Sequence, residues 1–102
     1  LGNFEVALAS LEAQIPPPQL QIATVLHNCA ALFRSMKSWE EGIRHATRAL
    51  EIRTAILGPG AVYVVSTQLL LAGLLDRAGE KDASIALLSD ALRQFDAPAQ
   101  SY

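Results

Sequence analysis

Two histidines and a lone cysteine are the side chains of this 102-residue sequence best suited to nucleophilic or metal chemistry, and their spacing does not assemble it. His27 and Cys29 stand two positions apart. On a helix such a pair points to different faces, so the imidazole has no local route to the thiol as a general base. His45 is isolated, and these three residues lack the spacing of a tetrahedral zinc site. The carboxylate pairs Glu40-Glu41 and Glu80 with Asp82 fall at expected helix N-termini, where the macrodipole favours negative charge without any acid–base role. Gly58-Pro59-Gly60 is followed by neither the lysine nor the Ser/Thr of a phosphate loop, so it reads as a turn. No catalytic residue, metal or cofactor is expected, and the protein is not expected to be an enzyme. The polar residues that remain notable are Thr24, Asn28, Ala31 and Ser35, which recur at helical spacing as a row of small side chains. Such a row lets another backbone approach closely.

The elements that must position this row follow from an internal repeat. Residues 24–52 return in register at 66–94: Ala30 pairs with Ala72, Leu32 with Leu74, Ile43 with Ile85, Ala49 with Ala91 and Leu50 with Leu92, at one offset of 72 − 30 = 42. A first helix is expected over Gly2 to Ile15, with Asn3 as N-cap and Phe4, Ala7, Leu8, Leu11 and Ile15 on its apolar side. It reads as the second helix of a pair whose first member would precede Leu1, and the opening at Leu rather than Met suggests an excised piece. Pro16, Pro17 and Pro18 end it as a stiff connector rather than as a polyproline ligand. The second helix, from about Gln19 to Met36, carries a stripe of Ile22, Leu26, Ala30 and Phe33 with Cys29 beside it.

Ser38 with Glu41 forms a sequence pattern for a capping box, and the third helix runs from Trp39 to about Leu57. Trp39, Ile43, Ala46, Ala49, Leu50 and Ile56 are its expected buried side; Arg44, Arg48 and Arg53 are expected off it. Gly42 and Ala46 are small where a neighbour would cross. Gly58 is expected to cap it in the left-handed conformation. The fourth helix is expected over Ala61 to Ala78, because the repeat register outweighs the β-branched run Val62, Tyr63, Val64, Val65. Its leucines at 69, 70, 71, 74 and 75 make it apolar nearly all round. Gly79 closes it, and the fifth helix, about Lys81 to Phe95, is expected to bury Ile85, Leu88, Ala91, Leu92 and Phe95. Residues 96–102 form a tail.

Composition agrees. The chain is long enough for one domain with a modest core. A net charge of −2, with charges evenly mixed, argues against nucleic acid and acidic membranes as partners. One cysteine excludes an internal disulfide, and no apolar run reaches the length of a membrane span. Hydrophobic residues make up 51% and charged residues 18%, an oily balance that predicts apolar surface meeting a partner or missing sequence.

The alternation of small and large residues resembles the tetratricopeptide repeat, a helix-turn-helix unit. Leu26, Cys29, Ala30 and Phe33 stand at its W, L, G and Y positions, and Gly42, Ala46 and Ala49 at the later small-residue, aromatic and alanine positions. Gln68, Leu71, Ala72, Leu75, Ser84, Leu88 and Ala91 take those places in the second repeat. The 42-residue spacing, with the L-E-I-R-x-x-x-L-G-P-G run, is similar to the kinesin-light-chain type. The resemblance implies an all-α fold of about five helices, with antiparallel pairs stacked as a right-handed superhelix. Residues 1–15 are then the end of an incomplete repeat, and 19–57 and 61–95 the two repeats. It also implies a concave groove for a peptide or partner protein, lined by Thr24, His27, Asn28, Ala31, Arg34 and Ser35 and by Ser66, Leu69, Leu70, Gly73 and Arg77. Asn28 matches an asparagine that in many such domains bonds the ligand main chain; Leu70 stands at that place in the second repeat, a departure from a two-clamp carboxylate site. Arg34 and Arg77 point to an acidic peptide. The function expected is a scaffold or adaptor, located inside the cell and in the cytoplasm; the alternative is a structural subunit, possible as a homo-oligomer, whose apolar faces are covered by partners.

Overall fold

The computed structural model describes residues 2–14 and 17–96 and, among them, the side chains up to residue 94. Five helices follow one another: α1 (Gly2–Glu12), α2 (Gln19–Ser35), α3 (Trp39–Leu57), α4 (Val62–Arg77) and α5 (Lys81–Asp96), with no strand among the described residues. The expectations for Ile15, Pro16, the Phe95 side chain and the tail beyond Asp96 fall outside them. Each helix packs on its neighbour in sequence, and α2 also touches α4. The result is a slab with extents of 40 × 34 × 14 Å, in which α3 lies against both α2 and α4 while these two touch each other.

The core lies in two patches along this slab. Ile22, Ala23, Leu26 and Ala49 form the first, with Leu8 and Leu11 of α1 leaning on it. Ala30, Ala46, Leu70, Leu71 and Leu74 form the second, flanked by Trp39, Ile43 and Leu50. The repeat register explains the close crossings. A Cβ on Gly42 would lie 2.9 Å from Leu74 Cδ2 of α4 and 3.4 Å from the Ala30 carbonyl oxygen of α2, so α3 is tight against α4 where it also passes the α2 backbone. Forty-two residues on, Ser84 is buried and its Oγ donates to the Ala72 carbonyl oxygen at 2.8 Å. One close approach is thus filled by glycine and its repeat by a hydroxyl that bonds the backbone it meets.

Helix ends repeat too. The Ser38 amide donates to the Phe33 carbonyl and the Lys37 amide to Arg34, the 6→1 and 5→2 bonds of a Schellman motif. The Glu80 and Gly79 amides do the same to Leu75 and Asp76. Gly79 holds φ 89°, which costs a glycine little, but Lys37 holds φ 61° at the same place, which costs a side-chain-bearing residue about 1 kcal/mol.

Five expectations are corrected. Asn3 lies inside α1 rather than capping it. Ser38 occupies the N-cap of α3, but with ψ at 73° its hydroxyl makes no capping bond, and the Glu41 carboxylate reaches toward Arg44 instead. Gly58 has positive φ, at 85°, yet its ψ of 158° is extended rather than left-handed helical. On α3, Ile56 is exposed in the last turn while Arg53 is 5% exposed, on the same row as Ala46 and Ala49. On α5, Ile85, Leu88 and Leu92 are exposed at 61%, 43% and 65%. Their equivalents Ile43 and Leu50 on α3 are covered by α4; no described element stands in that position beside α5.

Candidate functional site

α2 and α4 are the first helices of the two repeats, and the crease between them holds three hollows in a row. The first, about 500 Å³, opens near their N-termini among Leu20, Gln21, Thr24, His27 and Asn28 of α2, Arg53 and Leu57 of α3, and Tyr63 and Ser66 of α4. The second, about 440 Å³, shares His27 and Ser66 and continues along Ala31, Arg34, Val62, Val65, Leu69 and Leu70. A third, about 520 Å³, shares Arg34 and ends at Ser35, Lys37, Trp39, Gly73 and Arg77. The shared residues make the three continuous.

All eleven residues expected to line a groove border this crease. Thr24, Asn28, Arg34, Ser35, Ser66, Leu69, Gly73 and Arg77 are exposed, and His27 and Ala31 half-buried. Leu70 is 5% exposed and belongs chiefly to the core, touching the middle hollow from below. Ser35 turns its hydroxyl back to the Ala31 carbonyl oxygen at 3.3 Å. Arg77 lies over the Trp39 ring, 6.0 Å from its centroid, which holds the guanidinium at the far end of the crease.

The first hollow is built around a residue that sequence reasoning put on the outside. Arg53 Nη1 donates to Thr67 Oγ1 at 2.8 Å and to the Tyr63 carbonyl oxygen at 3.3 Å, and Nη2 donates to Thr24 Oγ1 at 3.3 Å. Its guanidinium carbon sits 5.2 Å from the centroid of the Tyr63 ring. Thr67 Oγ1 passes its own proton to the Tyr63 carbonyl oxygen at 3.0 Å. His27 Nδ1 completes the network, 3.1 Å from Thr67 Oγ1 and 3.3 Å from Arg53 Nη1. Every acceptor around Arg53 is neutral. Burial pulls its pKa below the ordinary arginine value, opposed by Tyr63, yet a guanidinium keeps its charge. Burial likewise lowers the pKa of His27, and the charges of Arg53 and then Arg34 lower it further, so the ring is neutral at pH 7.

Arg53, Tyr63, Thr67 and Lys37 escaped sequence reasoning. One signal was present for Arg53: it follows Ala46 and Ala49 at i, i+3, i+7, on the buried row. Lys37 carried a weaker one, its alignment with Gly79. Away from the crease, Cys29 is 4% exposed, and burial raises its thiol pKa, the behaviour of an inert core residue. His45 Nδ1 bonds the Glu41 carbonyl oxygen at 2.8 Å, with its ring 5.0 Å from that of Phe33 on α2. Among the described residues no three His, Cys, Asp or Glu side chains group as a metal site, and no helix is long and apolar enough to cross a membrane.

A comparison with curated proteins finds no match. The family model for the tetratricopeptide repeat matches residues 21–97, which covers α2 to α5 and both halves of the crease. With five helices packed each on the next, and small residues where α3 crosses α2 and where α5 crosses α4, the chain belongs to the tetratricopeptide repeat family.

Proposed function

We propose that this chain is a protein-interaction scaffold that holds an extended segment of a partner protein along the crease between α2 and α4. The family supports protein–protein interaction in general. The observation that carries the finer reading is the continuity of the three hollows through His27, Ser66 and Arg34. Tyr63 and Arg77 bound the crease, 14 residues apart along α4. That is about 20 Å of helix, a length about six extended residues span. Asn28, exposed on the wall of the first hollow, can donate to and accept from a ligand backbone at once.

The test is selection of displayed random peptides on the immobilised chain, followed by rebinding to Ser66→Trp, which fills the junction of the first two hollows from an exposed position. Loss of binding of at least about 10-fold is expected, as for a blocked central contact. Peptides that bind Ser66→Trp unchanged, or the absence of any enriched peptide, would overturn the reading.

A second reading has its own observation. Ile85, Leu88 and Leu92 form an exposed apolar stripe on α5 that the repeat register equates with the covered surface of α3. On this reading the protein is a structural subunit whose stripe is covered by another copy or another helical protein.

A further inference from the structure

The eight lysines and arginines divide sharply. Arg44, Arg48, Lys81 and Arg93 pair with Glu41, Glu12, Asp76 and Asp90, all away from the crease. The other four, Arg34, Lys37, Arg53 and Arg77, have no carboxylate partner among the described residues, and all four line the crease. No Asp or Glu lines any of its three hollows. The whole chain carries a net charge of −2, so this positive strip is a local arrangement and not a consequence of composition.

Two of the four cations are held where a neutral residue would be easier to accommodate. Arg53 is 5% exposed, with only neutral acceptors, a burial that an anion would compensate. Lys37 adopts φ 61° where the second repeat uses glycine, and it borders the last hollow on one side and a shallow hollow with Glu40 and Glu41 on the other. Arg53 stands at one end of the crease, Lys37 and Arg77 at the other, and Arg34 where the middle hollow meets the last. Between them the middle hollow presents Val62, Val65 and Leu69.

Resting on the reading of the crease as a peptide groove, we infer that its ligand is an acidic–apolar–acidic protein segment, with one carboxylate anchored on Arg53 in the first hollow and others met by Arg34, Lys37 and Arg77 at the far end. A carboxylate beside Arg53 takes its bidentate fork and gains the charge-assisted bonds that threonine and backbone oxygens supply only weakly. The apolar middle separates this ligand from a nucleic acid strand, whose evenly spaced phosphates would place a charge against Val65 and Leu69. Phosphate recognition would also favour a continuous cationic track over two separated ends.

The experiment scans a positional library of seven-residue peptides, acetylated and amidated, against the full chain, and then titrates the best pool, labelled with fluorescein, by anisotropy. The expected result is enrichment of Asp and Glu at both ends with Leu, Ile or Val between, and affinity that falls as salt rises. Arg53→Gln should weaken binding by at least about 30-fold, the scale for truncating one partner of a buried charge pair. Because that variant removes a buried network, Lys37→Gly serves beside it: it relieves the backbone, should fold at least as firmly by circular dichroism, and should still lose about 3- to 10-fold in affinity, as a rim charge does. Binding that Ser66→Trp blocks but that shows no acidic preference would overturn this inference and leave the groove intact. Binding that Ser66→Trp does not affect would overturn both. Tighter binding of a ten-nucleotide thymidine oligomer than of any peptide pool would overturn the acidic-segment inference in favour of nucleic acid.

Discussion

At the scale of single residues, His27 links the chemistry of the crease to pH. The groups facing it are Arg53 from α3, Arg34 from its own helix and the Thr67 hydroxyl from α4, and none of them is an anion. Its pKa in the folded state lies below the ordinary 6.5. The unfolded chain therefore binds a proton as pH drops past 6.5, while the folded chain resists until a lower pH. In that window the unfolded state holds more protons, so stability falls on acidification and recovers as pH rises. Thermal unfolding at pH 7.5 and 5.5 should show a loss at the lower pH that His27→Gln reduces, on top of the loss shared by all variants. Equal losses in the two proteins would show that the imidazole titrates alike in both states. A carboxylate ligand beside Arg53 would shift the balance the other way by screening the charge that keeps the ring neutral.

At the scale of elements, two glycines in helix interiors make opposite predictions. Gly42 faces the Cδ atoms of fully buried Leu74, which must shift within a packed core to admit a Cβ, so Gly42→Ala should destabilise by about 1–2 kcal/mol despite the better helix propensity of alanine. Gly73 meets nothing within 4 Å of the place a Cβ would occupy, so Gly73→Ala should stabilise by about 0.5–1 kcal/mol. Urea midpoints compare the two directly; shifts of the same sign would show that propensity, not the α3–α4 crossing, governs both. Gly73 also lines the last hollow, so a gain in stability with weaker peptide binding would mark it as a point of close ligand approach. These elements were largely legible in the sequence. The bounds of α3 follow from Ser38 and Gly58, and the small crossing positions follow from the 42-residue register, because both signals are local. Arg53 was not legible as a buried residue: its position matched the apolar row, but a charge is ordinarily placed outside unless a partner is known. Nor was the exposure of Ile85 and Leu92, since burial of one face of α5 depends on a neighbour that local pattern does not describe. Hydrogen bonding by Ser38 failed for a third reason, a backbone angle that the residue type does not fix.

At the scale of the whole molecule, helices that pack chiefly on their sequence neighbours make stability largely a sum of neighbour contacts. Each repeat presents a face to the next. The α5 stripe is such a face left open, and its large exposed side chains predict association. Light scattering across a dilution series should show a concentration-dependent rise in mass, and Ile85→Lys with Leu92→Lys should abolish it. A wild-type chain that stays monomeric at high concentration would remove self-association and leave the stripe to a different partner. Peptide binding in the crease should be unaffected by this double variant, since α5 lines none of the three hollows.

The direct contact between α2 and α4 has a mechanical consequence. Every other packed pair joins helices adjacent in sequence; this one, like the α3–α4 pair, lies across the junction of the two repeats. The crease runs along it, so a segment seated there touches both repeats at once and acts as a splint across the joint. Such a ligand would stiffen the slab against bending without reshaping either helix pair. The scaffold would then report occupancy as a change in rigidity, which a tethered partner at either end would feel as tension.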